Sequence, residues 1–102
     1  MENRRLKLHQ RLIDILGSNH VYYQPPENIK LEYPAIVYSK TRIDNRFADN
    51  SIYKQNYIYQ ITIIDYNPDS EVTEKIAILP NCLFQNSFAS DGLNHDIFNY
   101  YL

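Results

Sequence analysis

Tryptophan is absent from this 102-residue chain, glycine occurs twice, cysteine once, and ten lysines and arginines face twelve acids. Each shortage excludes something. A glycine-rich phosphate cradle, a Walker loop or a dinucleotide fingerprint needs more glycine than this chain has. The lone Cys82 cannot form an internal disulfide framework, so the cytosol is the expected compartment. Without a basic excess there is little to neutralise a run of phosphates, which weakens a reading as a stand-alone nucleic-acid binder. Long apolar runs are also missing: Lys7, His9, Gln10, Arg11 and Asp14 interrupt the first residues, and neither a signal peptide nor a membrane span is expected. What the chain does have is ten tyrosines, a side chain with an apolar face and a polar tip that suits a half-buried sheet or an interface. A domain of this size buries roughly two-thirds of its unfolded surface, enough for one core, so residues 1–102 are expected to form a single domain.

On a helical wheel, residues 2–16 gather Leu6, Leu8, Leu12, Ile13, Ile15 and Leu16 on one half, opposite Lys7, Gln10, Arg11 and Asp14. This predicts an amphipathic helix with Gly17 as its C-cap. His20 to Gln24 reads as a short strand that Pro25 and Pro26 stop. After Pro34, residues 35–47 alternate as a long strand whose first half is apolar and second half charged, running from a core out into solvent or a partner. Residues 48–51 have turn composition, and Tyr53 to Asp65 resumes as a second long strand. Tyr57, Tyr59, Ile61 and Ile63 share one of its faces, and Ile58, Gln60, Thr62 and Ile64 the other. The two strands make a long hairpin with its tip near residues 44–52.

Further on, Asn67 to Ser70 combine turn chemistry with an N-cap, Glu71 and Glu74 suit a helix start, and Val72, Ile76 and Leu79 repeat at helical spacing until Pro80. A strand over Leu83 to Ala89, with Phe84, Asn86 and Phe88 on one side, leads through a type I′ turn at Asp91-Gly92 to a last strand over Asp96 to Leu102. The expected fold is α+β: a mainly antiparallel sheet of about five strands, with a long hairpin arm and two helices packed on one face.

Few residues suggest chemistry. His9 lies inside the apolar arc of the first helix and reads as a satisfied histidine. His95 and Asp96 are neighbours in a strand, so their side chains diverge instead of pairing. Asp65, Asp69 and Glu71 lie where metal-dependent hydrolases hold carboxylates, but no Glu-x-Lys pair follows on the next strand, and capping explains them. Cys82 reads as a small core residue. The hairpin arm is the stronger feature: Arg42, Asp44, Arg46 and Asp49 mix both signs among Asn45, Asn50 and Tyr53, a composition that can select a protein partner through complementary pairs. A second candidate interface is the tyrosine-rich sheet carrying Tyr22, Tyr23, Tyr57 and Tyr59, read as surface available to neighbouring subunits.

The stretches Val21-Tyr-Tyr-Gln-Pro-Pro-Glu-Asn-Ile29, Tyr33-Pro-Ala-Ile-Val-Tyr38, Asp44-Asn-Arg-Phe-Ala-Asp-Asn50, Tyr59-Gln-Ile-Thr-Ile-Ile-Asp65, Asn67-Pro-Asp-Ser-Glu71 and Leu93-Asn-His-Asp-Ile-Phe98 resemble the tail terminator, or tail-completion, proteins of long-tailed phages of Gram-positive bacteria. The likeness runs from about residue 6 to 101. It implies a structural, non-enzymatic virion protein that forms a ring, commonly a hexamer, on the head-proximal end of the tail tube, stops tube polymerisation and joins tail to head. Its implied partners are further copies of itself, the tail tube protein and the head connector or stopper protein. DNA passes the lumen without specific binding, no membrane is involved, and assembly takes place in the host cytoplasm. No catalytic residue, metal or cofactor is implied. A neck connector or stopper of the same size class is the neighbouring alternative. From other classes, the alternatives are a small metal-dependent nuclease built on Asp65, Asp69 and His95, or a host interaction module using the tyrosine face.

Overall fold

The computed structural model describes residues 4–26, 28–48 and 51–102, with side chains at all of these except 47, 48 and 51–54. Seven elements follow in the order α1 (Arg4–Leu16), β1 (Val21–Tyr23), β2 (Ala35–Ala48), β3 (Ser51–Asp65), α2 (Glu71–Ala77), β4 (Cys82–Ser90) and β5 (Leu93–Tyr101). The strands form one sheet in the order β1-β2-β3-β5-β4, antiparallel throughout except for the parallel pairing of β1 with β2. The α+β architecture with a long hairpin is therefore what the sequence pattern predicts.

Local chemistry sets the boundaries. Gly17 takes φ 81° and donates its N–H to the Ile13 carbonyl at 2.9 Å, closing α1 as expected. Ser70 caps α2 by accepting the Val72 N–H, with Glu71 and Glu74 in the first turn. This helix stops at Ala77, two residues before the predicted Leu79, because Ile78 caps it and only Ile76 on it is buried. Asp91 and Gly92 both have positive φ, as a type I′ turn requires, and β5 begins at Leu93 instead of Asp96 because the tight turn pairs Leu93 with Ser90 at once.

Alternation along the strands assigns two faces. One carries Ile36, Tyr38, Tyr59, Ile61, Ile63 and Phe98, and on it Leu8 and Leu12 of α1 and Ile76 of α2 complete the core. The other is partly covered by the connector after β1, where Pro25, Pro26, Ile29 and Leu31 lie over Val37, Thr62 and Ile64. Two bulges reset the pattern in the body, and a third register shift lies on the arm, where Tyr53 is skipped between Arg46 with Lys54 and Phe47 with Ile52. Thr41 is skipped between the pairs Lys40 with Tyr59 and Arg42 with Ile58, and Gln85 is skipped between Phe84 with Phe98 and Asn86 with Ile97. The second bulge corrects the expectation that Phe84, Asn86 and Phe88 share a side: Phe84 stays beside Phe98 on the helix face, while Asn86 and Phe88 turn to the other.

The strands of the hairpin outrun their neighbours. β5 covers β3 only from Ile58 to Asp65, and β1 covers β2 only from Ile36 to Tyr38. Gln24 prolongs the β1 edge slightly, donating its N–H to the Tyr38 carbonyl and accepting the Lys40 N–H on its side chain. Leu102 exchanges both backbone hydrogen bonds with Tyr57, and beyond that point the hairpin pairs only with itself. Beyond Tyr57 and its partner Ile43, five residues of β2 and six of β3 reach roughly 17–20 Å at about 3.4 Å each. The molecule is accordingly 51 Å long and 24 Å wide.

Leu12 has no exposed surface and is central to the helix-on-sheet core. Leu12→Ala should lower unfolding free energy by roughly 2–5 kcal/mol, read from urea denaturation.

Candidate functional site

The largest concentration of polar and aromatic groups lies where the first half of α1 crosses β1, β2 and β3. Tyr38 is 1% exposed, yet its phenol is fully engaged. Arg5 donates to the Tyr38 oxygen at 3.2 Å, and His9 Nδ1 lies 2.7 Å from the same oxygen. With Arg5 donating, the phenol proton is left for the unprotonated Nδ1 of a neutral His9 ring. Arg5 also stands over the Tyr23 ring at 4.4 Å, and Tyr23, Tyr38 and Tyr59 pack with centroids 4.8 to 6.4 Å apart. Burial pushes the Tyr38 and Tyr59 phenols up, while the Arg5 hydrogen bond and charge pull Tyr38 partly back. The His9 imidazole is held below its usual value, first by burial and then by the Arg5 charge. These shifts keep both phenols and the imidazole neutral at pH 7, so the cluster binds α1 to the sheet without an activated base or phenolate.

This burial corrects the reading of the tyrosines as open surface. Tyr59 is 3% exposed and belongs to the core together with Tyr38 and Tyr100. Tyr22, Tyr23 and Tyr57 are half-buried: the Tyr22 hydroxyl accepts the Glu32 N–H, and Lys40 lies over the Tyr57 ring. Helices laid over one sheet face and the connector over the other leave little tyrosine surface.

The arm keeps its open character. Arg42, Asn45 and Arg46 are exposed, Asp44 is half-exposed, and Arg42 Nε pairs with Asp44 at 3.0 Å. Alternation splits the predicted residues. Arg42, Asp44 and Arg46 form a charged face on the side away from the helices, whereas Ile43, Asn45, Gln55 and Tyr57 continue the helix-side face, with Gln55 donating to Asn45 at 2.8 Å. Asp49 and Asn50 lie outside the described residues, as does the side chain of Tyr53.

Other candidates do not converge. Asp65 pairs across the sheet with Asn94 and accepts the Asn67 N–H, whereas His95 pairs with Ile64 on the opposite face and stacks on Phe88 at 4.5 Å. Asp69 is exposed, and Asp96 accepts the Thr73 hydroxyl at 2.7 Å. His95 and Asp96 diverge as their neighbouring positions require. Among the described residues no group of three or more His, Cys, Asp or Glu is placed to hold a metal ion, and no helix is long and apolar enough to cross a membrane. Burial pushes the Cys82 thiol up to about 11.

Two surface features escaped the sequence pattern. The outer edge strand β4 exposes Leu83, Phe84 and Phe88 and carries no charge from Cys82 to Ser90, a bareness visible in composition but meaningful only once the strand is known to be an edge. On α1, Arg4, Lys7 and Arg11 line one cleft with Leu8, Tyr100 and Leu102. Helical spacing foreshadowed the row but not what it faces. No protein-family model matches the chain, and no curated protein is significantly similar to it.

Two measurements check this account. A folded-state His9 value below the ordinary 6.5 means that its contribution to stability is complete above 6.5 and is lost as pH falls through the folded-state value. Urea midpoints should therefore fall between pH 7 and pH 5.5, and His9→Gln should flatten that slope. Tyr38→Phe, which removes the oxygen that accepts from Arg5 and lies against His9 Nδ1, should cost about 1–3 kcal/mol by the same assay.

Proposed function

We propose that this chain is a structural protein of a phage tail, the terminator that forms a ring at the head-proximal end of the tail tube, ends tube growth and joins tail to head. The observation that carries the reading is the arm, a two-stranded ribbon of roughly 17–20 Å projecting from a small α+β body. An isolated two-stranded ribbon is at best marginally stable in water, so an arm of this length is best accounted for by a surface that it contacts in an assembly. Its two unlike faces, one charged and one of amides and apolar groups, suit a body that meets a different surface on each side. The likeness of residues 6–101 to tail terminators supplies the identity of the assembly. A net charge of -2 agrees with a ring whose lumen lets DNA slide without holding it. In this reading the partners are further copies of the chain, the tube protein and the head connector. Among the described side chains, the residues that make contact are Arg42, Asp44, Asn45 and Arg46 on the arm, with the half-buried Tyr57 at its root.

Reversing Arg42 and Arg46 to Glu changes exposed groups only, so the variant should fold with stability within about 0.5 kcal/mol of the parent. In a phage carrying it, full heads and tails should accumulate unjoined in electron micrographs. Normal virions from that variant would remove the arm from the account. Loss of the whole gene should give overlong or ragged tails, whereas leaking heads beside normal tails would assign the chain to the head stopper instead.

A further inference from the structure

Two stretches of this chain carry charge of a single sign and stand on different parts of its body. Residues 4–11 hold four of the ten cations and no acid, and residues 65–74 hold four of the twelve acids and no cation. Arg4, Lys7 and Arg11 line a cleft beside Tyr100 and Leu102, at the root of the arm where Leu102 is bonded to Tyr57. Tyr100 pairs with Tyr59, while Asp65 pairs with Asn94 at the far end of the same two strands. Six residues separate these pairs, which sets Asp65 roughly 20 Å from the Tyr59–Tyr100 pair along the strand direction. The helix α2 with Glu71 and Glu74 lies nearer, since its Thr73 bonds to Asp96, four residues from Tyr100.

The acidic end is prearranged. Asp65 accepts the Asn67 N–H, the Asn67 side chain accepts the Asp69 N–H, and the Asn94 amide donates to the carbonyls of Asp65 and Tyr66. Asp69, Glu71 and Glu74 are exposed, and Tyr66 beside them is 65% exposed. Lys75, in the last turn of α2, lines one shallow hollow with Glu71, Glu74 and Ile78 and is, among the described residues, the one cation placed with these acids. At the basic end Arg4 and Arg11 are exposed, and the adjoining root of the arm presents Ile43, 41% exposed, on its helix side. An exposed acidic surface with an aromatic beside it is thus complementary in charge to a basic cleft flanked by an apolar ribbon face.

We propose that the basic cleft of α1 at the root of the arm receives the acidic Asp65–Glu74 end of a second copy of this chain. The contact is heterologous, because each copy uses a different end. It therefore repeats head to tail and closes into a ring where the rotation allows. The proposal deepens the ring reading by naming its subunit contact, and rests on that reading only for the expectation that the chain self-associates.

The test is sedimentation velocity on the purified full chain at low and high ionic strength, with circular dichroism to verify folding. Oligomers at about 0.03 M salt should dissociate as screening shortens the range of the charges. R4E/R11E and E71K/E74K should each weaken association roughly tenfold or more, since like charges then face each other. An equimolar mixture of the two variants should associate again, because the reversed cleft of one now fits the reversed surface of the other. Oligomers that survive either reversal, or a mixture that stays dissociated, overturn this contact while leaving the ring in place; survival at high salt as well would direct attention to the uncharged β4 edge. A parent chain that is monomeric at every salt concentration overturns the proposal, whereas the terminator reading is decided separately by tail length and head joining.

Discussion

The structure depends on a mismatch of lengths. β2 and β3 run for 14 and 15 residues, but their neighbours in the sheet cover only the half nearer Asp65. In the covered half, alternation delivers Ile36, Tyr38, Tyr59, Ile61 and Ile63 to the helices, and the hydrophobic effect holds them there. In the uncovered half the same ladder has, among the described residues, no third strand and no helix above it, so its side chains face outward on both sides. One hairpin thereby serves as the core of the body and as the arm that leaves it.

The tyrosines show how the core half is fixed. Tyr38 could not be buried with its hydroxyl unpaired without a cost of about 1–3 kcal/mol, and Arg5 and His9 meet that need from α1. The pair also sets the angle at which α1 crosses the sheet, and this places Arg4 and Arg11 at the root of the arm. A polar requirement inside the core thus positions a charged surface outside it.

Much of this was legible in the residues. Period-two alternation exposed the hairpin, Gly17 and Ser70 marked helix ends, and Asp91-Gly92 marked its turn because each sits where only a few residue types meet the backbone's demand. The bulges at Thr41 and Gln85 were not legible: neither residue is distinctive, and a bulge arises from how two strands fit each other. The tyrosines were misjudged for a related reason. Their amphipathic chemistry allows either surface or core, and only the position of α1 and of the connector decides between them. Charge clustering was present in the numbering of the acids and bases, but how far Asp65 stands from the basic cleft became visible only through the strand register.

The central claim is that the body is self-sufficient and the arm is completed by assembly. Residue-resolved hydrogen exchange, on the isolated chain and on the chain incorporated in phage tails, tests it most directly. The account predicts slow exchange at 57–65 and 93–101 in both states, and exchange at 44–48 and 51–56 that is fast in isolation and slow in the tail. Equal protection along the whole hairpin in the isolated chain, or an arm that still exchanges fast in assembled tails, would contradict it.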